Sequence, residues 1–305
     1  MNLYPYTPSQ IDGSTAQDWL AFLKSPTMVA RRFAEIINAQ QFIGNYLLSG
    51  RYTMTGGMIA VPANEKIRTD RKAGTVAPGA EYKLTTLSAE EYEIYNSMIE
   101  GLATEVTDAE VTRSRRQPID DAFTFLQTEL VFDANEIALG VIESSVTRTF
   151  ASKAAWTNGK EILRAAYTAK ALTRKLKLGY SIDTAVIPGE QYADIMPELL
   201  DILPKDDRMA LGDTFPTIGG ITWVPEDGDD LSDPMFIDRR RFGGIAREEI
   251  ASPEYRQVGG DTGVEIASVR NIALGDKTRL QARNVHVPVI TNPLAAVYVT
   301  GTEAP

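Results

Sequence analysis

The longest regular pattern of apolar and polar positions in the chain covers residues 117–150. Apolar side chains recur there every three or four residues, which is typical of one face of an amphipathic helix. Pro118 suits a first helical turn, and Asp120 and Asp121 follow where the helix dipole favours acidic side chains. The pattern predicts one helix about 50 Å long lying across a sheet, although an ordinary core helix would show the same pattern. The apolar positions are Ile119, Ala122, Phe123, Leu126, Leu130, Ala134, Ile137, Ala138, Val141, Ile142 and Val146.

The N-terminal residues 1–24 combine prolines and scattered aromatic side chains without a sustained period. This pattern predicts an extended arm with at most a short helix near residues 16–23. Because so many large apolar side chains would be poorly soluble on a free arm, we expect the arm to lie on another surface. Ser25 and Pro26 then favour the start of a second helix.

The segment 50–87 is rich in glycine and proline and carries only short strand-like runs. Its apolar residues are too few to form a core, and an isolated two-stranded hairpin is marginally stable in water. A long segment of this kind inside a compact chain is usually functional or disordered. The strand-like runs are 51–54, 58–61 and 66–69.

Helix and strand patterns alternate after residue 158, and strand patterns dominate after residue 264. A shift to small and polar residues at 151–155 marks a candidate domain boundary. Together with the long helix, these elements predict an α+β fold. The expected strands of this part are 184–187, 221–224, 235–237, 264–269, 278–289 and 295–299, with helices from about 159 and at 191–203.

The size and composition are those of an ordinary globular protein. The 305 residues allow a substantial core and about two domains. The net charge of -10 argues against a general nucleic-acid-binding surface, although DNA could be enclosed without being gripped. No apolar run is long enough to span a membrane and the N-terminus lacks a signal-peptide pattern, so we expect synthesis and assembly in the cytoplasm.

Candidate catalytic residues are sparse. The chain has no cysteine, which excludes disulfides, thiolate nucleophiles and cysteine metal sites. The single histidine, His286, falls in an apolar strand pattern, and no nucleophile-elbow motif accompanies it as a hydrolase base would require. No phosphate-loop or dinucleotide-binding motif occurs, so no cofactor is predicted. The acidic loop that holds Asp229 and Asp230 lacks the spacing of a calcium-binding EF-hand, but it leaves a carboxylate- or metal-dependent hydrolase open.

Charge is unevenly distributed in the first half of the chain. The segment 50–87 is mainly basic, residues 88–111 carry acids and no base, and a basic cluster precedes the long helix. If the basic segment lies on the acidic surface of a neighbouring copy, the opposite charges would steer and align an assembly. In a monomer the same charges would be solvated surfaces. The candidate intersubunit contact residues are Arg51, Lys66, Arg68, Arg71, Lys72, Glu90, Glu91, Glu93, Arg113, Arg115, Arg116, Glu129, Asp133 and Glu136.

Several short strings follow one another in a specific order. They are Phe42-Ile43-Gly44, Leu47-Leu48-Ser49-Gly50, Ala77-Pro78-Gly79-Ala80-Glu81-Tyr82, Glu105-Val106-Thr107-Asp108, Ala154-Ala155-Trp156 and the stretch 288–300. This ordered set resembles the major capsid proteins of tailed phages with the Hong Kong 97-type fold, especially those of phages of actinobacteria. The resemblance covers most of the chain and is weakest in residues 1–24 and in the acidic loop.

The resemblance implies a Hong Kong 97-like division of the chain, with a long spine helix in the peripheral domain. The expected parts are an N-terminal arm with a short helix at 1–49, an extended hairpin loop at 50–87, the peripheral domain at 88–156, the axial domain at 157–252, peripheral return strands at 253–293, and a terminal strand at 294–305 that rejoins the axial domain. In this family the loop reaches over an adjacent subunit, which agrees with the charge argument.

The function that the resemblance implies is self-assembly, not enzyme activity. Pentamers and hexamers would build the icosahedral head of a virion around double-stranded DNA, in the cytoplasm of a bacterial host, with no membrane and no cofactor. The expected partners are a scaffolding protein, a portal and a decoration protein. Because the chain begins close to the arm, we expect the scaffolding protein to be a separate chain. Lys66 and Lys72 are candidates, by position only, for the lysine that some members cross-link to a neighbouring asparagine.

Two alternatives remain at this point. An encapsulin-like bacterial nanocompartment would keep the fold and hold a cargo enzyme, but such proteins usually begin with a docking helix, which Pro5, Pro8 and Gly13 argue against. A hydrolase that uses Asp229 and Asp230 is the third hypothesis, although carboxylate pairs are abundant in any acidic chain.

Overall fold

The computed structural model describes residues 14–37, 43–62, 73–84, 92–202, 215–226, 228, 231–258, 263–271 and 275–302. Within these ranges the chain is built from helices and strands in mixed order. The helices are α1 (Ala16–Leu23), α2 (Pro26–Ile37), α3 (Ile43–Leu47), α4 (Asp108–Ser114), α5 (Gln117–Ser145), α6 (Gly159–Lys175), α7 (Gly189–Ile202) and α8 (Arg239–Phe242), with a 3-10 turn at Pro293–Ala295.

Among the described residues, the strands form two six-stranded sheets and one two-stranded hairpin. The first sheet has the order β1 (Gly50–Thr53), β10 (Gly243–Arg247), β13 (Lys277–Ile290), β12 (Val264–Asn271) and β11 (Arg256–Val258), and β4 (Met98–Thr107) also pairs with β13. The second sheet has the order β5 (Thr149–Ala151), β14 (Ala296–Thr300), β9 (Met235–Ile237), β6 (Thr184–Pro188), β8 (Ile221–Glu226) and β7 (Thr217–Ile218). The hairpin pairs β2 (Met58–Pro62) with β3 (Tyr92–Asn96).

The long helix that the sequence predicts is α5, hereafter the spine helix, and it begins at Gln117 as expected. It ends at Ser145 instead of residue 150, because Val146 is already extended and Thr149–Ala151 pairs with β14 as a strand. The residues after Ser145 include several β-branched side chains, which favour extended backbone once a strand partner is available. Its length of 29 residues corresponds to about 43 Å.

The spine helix joins the two sheets through two apolar clusters. Its first half, including Phe123 and Leu126, packs with α1, α2 and the first sheet. Its second half, including Leu139 and Ile142, packs with α3 and with strands of the second sheet. The buried stripe contains most of the predicted positions and also Leu139, which the sequence pattern did not indicate, and a single helix holds both sheets in place.

The described part of the N-terminal arm lies on the protein, as its aromatic content led us to expect. Thr15 caps α1 through a reciprocal pair of hydrogen bonds with Asp18. The ring centroids of Trp19 and Phe22 are 5.7 Å apart, and Phe22 lies 6.4 Å from Phe123 of the spine helix. Edge-to-face contacts of this kind fix α1 against the core.

The segment predicted as a hairpin loop divides between two sheets. β1 pairs in parallel with β10, from Gly50 opposite Gly244 to Thr53 opposite Arg247, so it belongs to the first sheet. β2 and β3 form the hairpin itself, and the run predicted at 66–69 lies outside the described residues. The terminal strand β14 lies in the second sheet, beside β5 and β9. The domain boundaries assigned from the resemblance stay a prediction.

Candidate assembly surfaces

The hairpin has one face that packs and one face that is exposed. Side chains alternate between the two faces of a strand, and directly paired residues share a face. Val61, Ile59 and Tyr95 lie on the inner face and pack on a small cluster of the first sheet. The hairpin therefore gains its stability from this sheet, since it could not form a core of its own.

The outer face of the hairpin is apolar, and we call it the hairpin face. It is formed by Met58, Ala60, Tyr92 and Ile94, in the register Met58 opposite Asn96 and Ala60 opposite Ile94. Tyr92 is 65% exposed and Ile94 is 67% exposed. An exposed cluster of large apolar side chains is a common mark of a protein–protein interface.

Hydrogen bonds fix the root of the hairpin to the first sheet. The Glu248 carboxylate accepts from the Gly57 amide over 2.9 Å and from Ser97 Oγ over 3.0 Å, one partner on each side of the hairpin. Tyr95 Oη donates to Glu93 Oε2 over 2.7 Å. Burial, followed by the hydrogen bond to Glu93, raises the pKa of Tyr95 to about 12, so the phenol stays protonated.

The spine helix carries a second surface, which we call the spine face. Phe125 and Phe132 are 51% and 54% exposed, although aromatic side chains are normally buried. Glu129 and Glu136 occur between and after them at spacings of three and four residues, so all four share one face of the helix. The sequence analysis predicts the acids of this face but misses the two aromatic rings. Their positions fall outside the apolar stripe, and this is the feature of the sequence that could have indicated their exposure.

Two acids of β4, Glu100 and Glu105, differ in their partners. Burial, and then the nearby Asp133 carboxylate, raises the pKa of Glu100 on β4. Glu105, by contrast, accepts hydrogen bonds from Lys277 and Arg279 of β13, which lower its pKa. Glu105 therefore serves the first sheet, whereas Glu129, Asp133 and Glu136 form no ion pair with any described residue.

Of the predicted acidic residues before β4, one lies in the hairpin and two lie outside the described residues. Glu93 lies on β3, where it accepts from Tyr95, so it belongs to the hairpin and not to a separate acidic surface. Glu90 and Glu91 lie outside the described residues.

Of the basic contact residues predicted in segment 50–87, only Arg51 lies within the described residues. Arg51 lies on β1, and its guanidinium donates to the carbonyl oxygens of Leu48 over 2.6 Å and Asn45 over 3.1 Å, so it anchors that strand within its own subunit. Lys66, Arg68, Arg71 and Lys72 lie outside the described residues.

The basic cluster before the spine helix has the acidic partner that its position suggests. Arg116 forms an ion pair with Asp120 in the first turn of the spine helix, and Asp120 also lies 3.8 Å from Arg32. These contacts offset the unfavourable placement of a cation at a helix N-terminus. Arg113 and Arg115 are exposed, and Arg115 adopts a positive φ of 54° at the end of α4.

An open groove lies beside the spine face. It has a volume of about 540 Å³ and is bounded by β4, α4 and the first turns of the spine helix. Its lining includes Thr104, Glu110, Asp121 and the exposed ring of Phe125. Polar and aromatic groups thus occur together at one accessible site.

Comparison with known proteins identifies the family. The sequence model of the family described as phage capsid protein matches residues 93–299. The chain belongs to this phage capsid protein family. The match confirms the sequence-based prediction of a tailed-phage major capsid protein, and it covers the spine helix, the second sheet and all of the first sheet except β1.

Solved structures share the fold of this capsid protein at low sequence identity. The virus-like particle from Pyrococcus furiosus has 12% identity and a TM-score of 0.58, over 89% of this chain and 97% of that chain. A structure of Mycobacterium phage Adephagia has 12% identity and a TM-score of 0.53, over 88% and 93%. The bacteriophage PhiM1 mature capsid has 13% identity and a TM-score of 0.52, over 87% and 88%. No curated relative matches the sequence. These similarities confirm the mixed helix and sheet architecture of the capsid fold.

The capsid protein offers little support for the alternatives left open by its sequence. The family match is to phage capsids, so the nanocompartment interpretation is not favoured. His286 is 3% exposed, and burial lowers its pKa to about 4, so it is not accessible as a hydrolytic base. Asp229 and Asp230 lie outside the described residues, and within the described ranges no group of acids and histidines could hold a metal ion. Within those ranges, no helix has the length and apolar character of a membrane span.

Proposed function

We propose that this chain is the building block of the phage head and that its activity is self-assembly. Copies associate into pentamers and hexamers, and these close an icosahedral shell around double-stranded DNA. The observation that carries the proposal is the hairpin face, because a subunit that stayed monomeric would gain nothing from exposing Met58, Tyr92 and Ile94 to water.

The hairpin face of one copy lies on the spine face of a neighbouring copy. Phe125 and Phe132 supply apolar area that matches the hairpin face, and the groove next to Phe125 leaves room for side chains from a neighbour. Burying one large apolar side chain contributes about 1.5–3 kcal/mol, whereas an exposed ion pair contributes about 0–1 kcal/mol. The apolar contact therefore supplies most of the binding energy.

Charge complements this contact and directs it. The basic residues Arg68, Arg71 and Lys72 lie between β2 and β3 in the sequence, and the acids of the spine face have no ion pair among the described residues. Opposite charges raise the association rate and disfavour wrong alignments more than they raise affinity. The loop of one copy and the acids of the next are thus suited to set the register of assembly.

The hairpin contact is tested with Ile94→Asp, which places a charge on the hairpin face. We expect the variant to fold with an unchanged circular dichroism spectrum and to give no closed shells in electron micrographs. Thr157→Asp adds the same charge at another exposed position and is expected to assemble normally. Shells of normal yield from Ile94→Asp would contradict the contact.

The charge component is tested by reversing Arg68, Arg71 and Lys72 together. We expect slower and less complete assembly at low salt with a normally folded monomer, and a smaller difference at high salt because salt screens exposed charges. Assembly that is unchanged at both salt concentrations would remove charge steering from the proposal. Boiling shells in detergent also tests the cross-link suggested for Lys66 and Lys72, because a monomer-sized band alone would exclude it.

The partners proposed from the sequence are a scaffolding protein, a portal and a decoration protein, with assembly in the bacterial host cytoplasm. DNA is enclosed without specific binding, and the protein is not an enzyme. Co-expression with the neighbouring genes, followed by electron microscopy, tests these partners. Closed shells of uniform size that appear only with one co-expressed gene would identify the scaffolding protein, whereas uniform shells from this chain alone would argue that none is needed.

A further inference from the structure

Helix α6 presents a basic outer side. Lys160, Arg164, Arg174 and Lys175 are exposed, while Ile162, Ala165, Ala166 and Ala169 of the same helix are buried in the core. A shallow groove of about 490 Å³ lies along this outer side, lined by Tyr167, Lys170, Ala171, Arg174 and Lys175. Tyr167 is 54% exposed, so the groove combines positive charge with an accessible aromatic ring.

The cations of this groove lie close enough together to repel one another. Burial, and then the nearby Arg174, lowers the pKa of Lys170, whose Nζ donates to the carbonyl oxygens of Gly219 over 3.2 Å and Gly220 over 3.0 Å. Arg164 has an acidic neighbour on its own helix, Glu161 at 3.7 Å. Arg174 and Lys175 form no ion pair with any described residue. Asp183 offsets part of the positive charge at Lys170, so the cations of the groove without an acidic partner among the described residues are Arg174 and Lys175.

Helix α7 presents the opposite charge. Glu190, Asp194 and Glu198 follow one another at intervals of four residues and are all exposed, so they form one acidic stripe. The helix contains no lysine or arginine. None of the three acids forms an ion pair with a described residue.

The two helices belong to one rigid layer. They contact each other directly, and Ala166 of α6 and Leu199 of α7 lie in the same apolar cluster on the second sheet. Each subunit thus carries a basic surface and an acidic surface on adjoining helices, and the described side chains do not neutralise each other within the chain. Surfaces of this kind are complementary between copies.

We propose that the basic side of α6 in one copy binds the acidic stripe of α7 in the next copy, head to tail around the capsomer. This inference rests on the proposed function and adds the contact that closes each ring. A head-to-tail contact uses two different surfaces of each subunit, and it generates a closed ring when the rotation between copies closes. The same pair of helices serves rings of five and of six if the angle between copies changes slightly.

A second copy fits the basic groove better than nucleic acid does. The chain carries a net charge of -10, and the cations of the groove come from a single helix, whereas nucleic-acid surfaces usually draw on a larger basic excess. Every neighbouring copy, in contrast, brings an acidic stripe that is one helix wide.

The contact is tested by reversing charges on one helix and then on both. The first variant is Arg174→Glu/Lys175→Glu, the second is Asp194→Lys/Glu198→Lys, and the third combines all four changes. We expect the first two to form shells with about tenfold lower yield at low salt, and the combined variant to recover most of the yield. A control, Lys153→Glu/Glu254→Lys, changes two exposed charges elsewhere and is expected to assemble normally.

Mixing the first two variants gives a sharper result. Their complementary surfaces meet only when the variants alternate, which is possible around a ring of six and not around a ring of five. We therefore expect hexamers without closed shells from an equal mixture. Thermal unfolding of the separate monomers, with midpoints close to that of the natural protein, distinguishes an assembly defect from a folding defect.

The outcomes separate this inference from the proposed function. Normal shells from both single-helix variants, or a combined variant no better than either, would overturn the α6–α7 contact and leave the shell function standing. Normal empty shells that retain less DNA in the first variant would assign the groove to nucleic acid and also overturn it. A natural protein that forms no rings or shells under any condition would instead remove the proposed function.

Discussion

Arg283 and Glu265 face each other across β13 and β12 and form a buried ion pair, with 2.7 Å between Arg283 Nε and Glu265 Oε2. The Glu265 side chain is 8% exposed and the Arg283 side chain is 15% exposed. The Arg283 guanidinium also stacks on Tyr255, 3.8 Å from the ring centroid. The pair holds together two strands of the first sheet, on which both the hairpin and the spine helix rest.

Removing one member of this pair is expected to destabilise the subunit strongly. Arg283→Met leaves the Glu265 carboxylate buried without a counter-charge, which costs about 3–5 kcal/mol of unfolding free energy. The double variant Glu265→Leu/Arg283→Met removes both charges and is expected to be clearly more stable than the single variant. Denaturant unfolding of the monomers measures both values, and equal losses in the two variants would contradict this account.

The single histidine is expected to make the subunit sensitive to acid. His286 has a pKa of about 4 in the folded protein, because of burial and then of Arg247, against 6.5 in an unfolded chain. The imidazole is neutral in both states above pH 6.5, and unfolding takes up a proton as the pH falls from 6.5 towards 4. The contribution of His286 to the free energy of unfolding is therefore fully present above pH 6.5. It falls as the pH is lowered, and about 3 kcal/mol of it is lost at pH 4.

His286→Leu is the variant that isolates this effect from the titration of carboxylates. Both variant and natural protein lose the carboxylate contributions, so the difference between their unfolding free energies at pH 7 and pH 4 reports His286 alone. We expect the loss of stability between these two pH values to be about 3 kcal/mol smaller in His286→Leu. An equal loss in both proteins would show that His286 does not titrate on unfolding.

Two glycines near the spine helix are expected to respond oppositely to alanine. A Cβ at Gly44 would lie 2.5 Å from Ala138 Cβ, at a close approach where the Gly44 amide donates to Asn135 Oδ1 over 3.1 Å. Gly44→Ala should therefore cost about 1–3 kcal/mol through overpacking. A Cβ at Gly140 meets no atom within 4 Å, so Gly140→Ala should stabilise the helix by about 0.5–1 kcal/mol. Thermal unfolding measures both, and a stabilising Gly44→Ala would refute the close approach.

Glu248 is expected to control the position of the hairpin more than the stability of the subunit. Glu248→Ala removes both acceptors at the hairpin root, so the β2 and β3 amides should exchange with solvent at least about tenfold faster. Strands of the second sheet serve as the internal control, because they are remote from Glu248. The variant should also assemble more slowly, since a less ordered hairpin loses more conformational entropy on binding. Unchanged amide exchange in β2 and β3 would show that Glu248 is dispensable.

The surfaces proposed for assembly were only partly accessible from the sequence. The exposure of the acids of the spine face follows from helical periodicity, because their positions lie on the side of the helix opposite the buried stripe. Phe125 and Phe132 were missed, since an aromatic residue near an apolar stripe is normally assigned to the core. The contact between copies predicted for Arg51 stays a prediction, and the sequence did not indicate that its guanidinium donates to carbonyl oxygens that only the folded turn brings together.

Local pattern determined the elements of this protein by itself. The spine helix and the strands β6, β8, β9 and β14 follow from periodicity and from β-branched residues, which act over a few neighbouring positions. The ordered set of short strings was also enough to indicate the capsid family, which the match over residues 93–299 confirms.

Tertiary structure decided which of these elements meet. Strand pairing over long separations made 149–151 a strand and moved β1 out of the hairpin into the first sheet, because backbone hydrogen bonds to β14 and β10 became available there. Tertiary structure also decided which acids form ion pairs, as Glu105 does with Lys277 and Arg279. The acids of the spine face, by contrast, have no ion pair among the described residues. Charges and apolar residues can be counted in a sequence. Their exposure depends on packing between residues far apart in the chain, and a local sequence pattern does not specify which distant residues pack together.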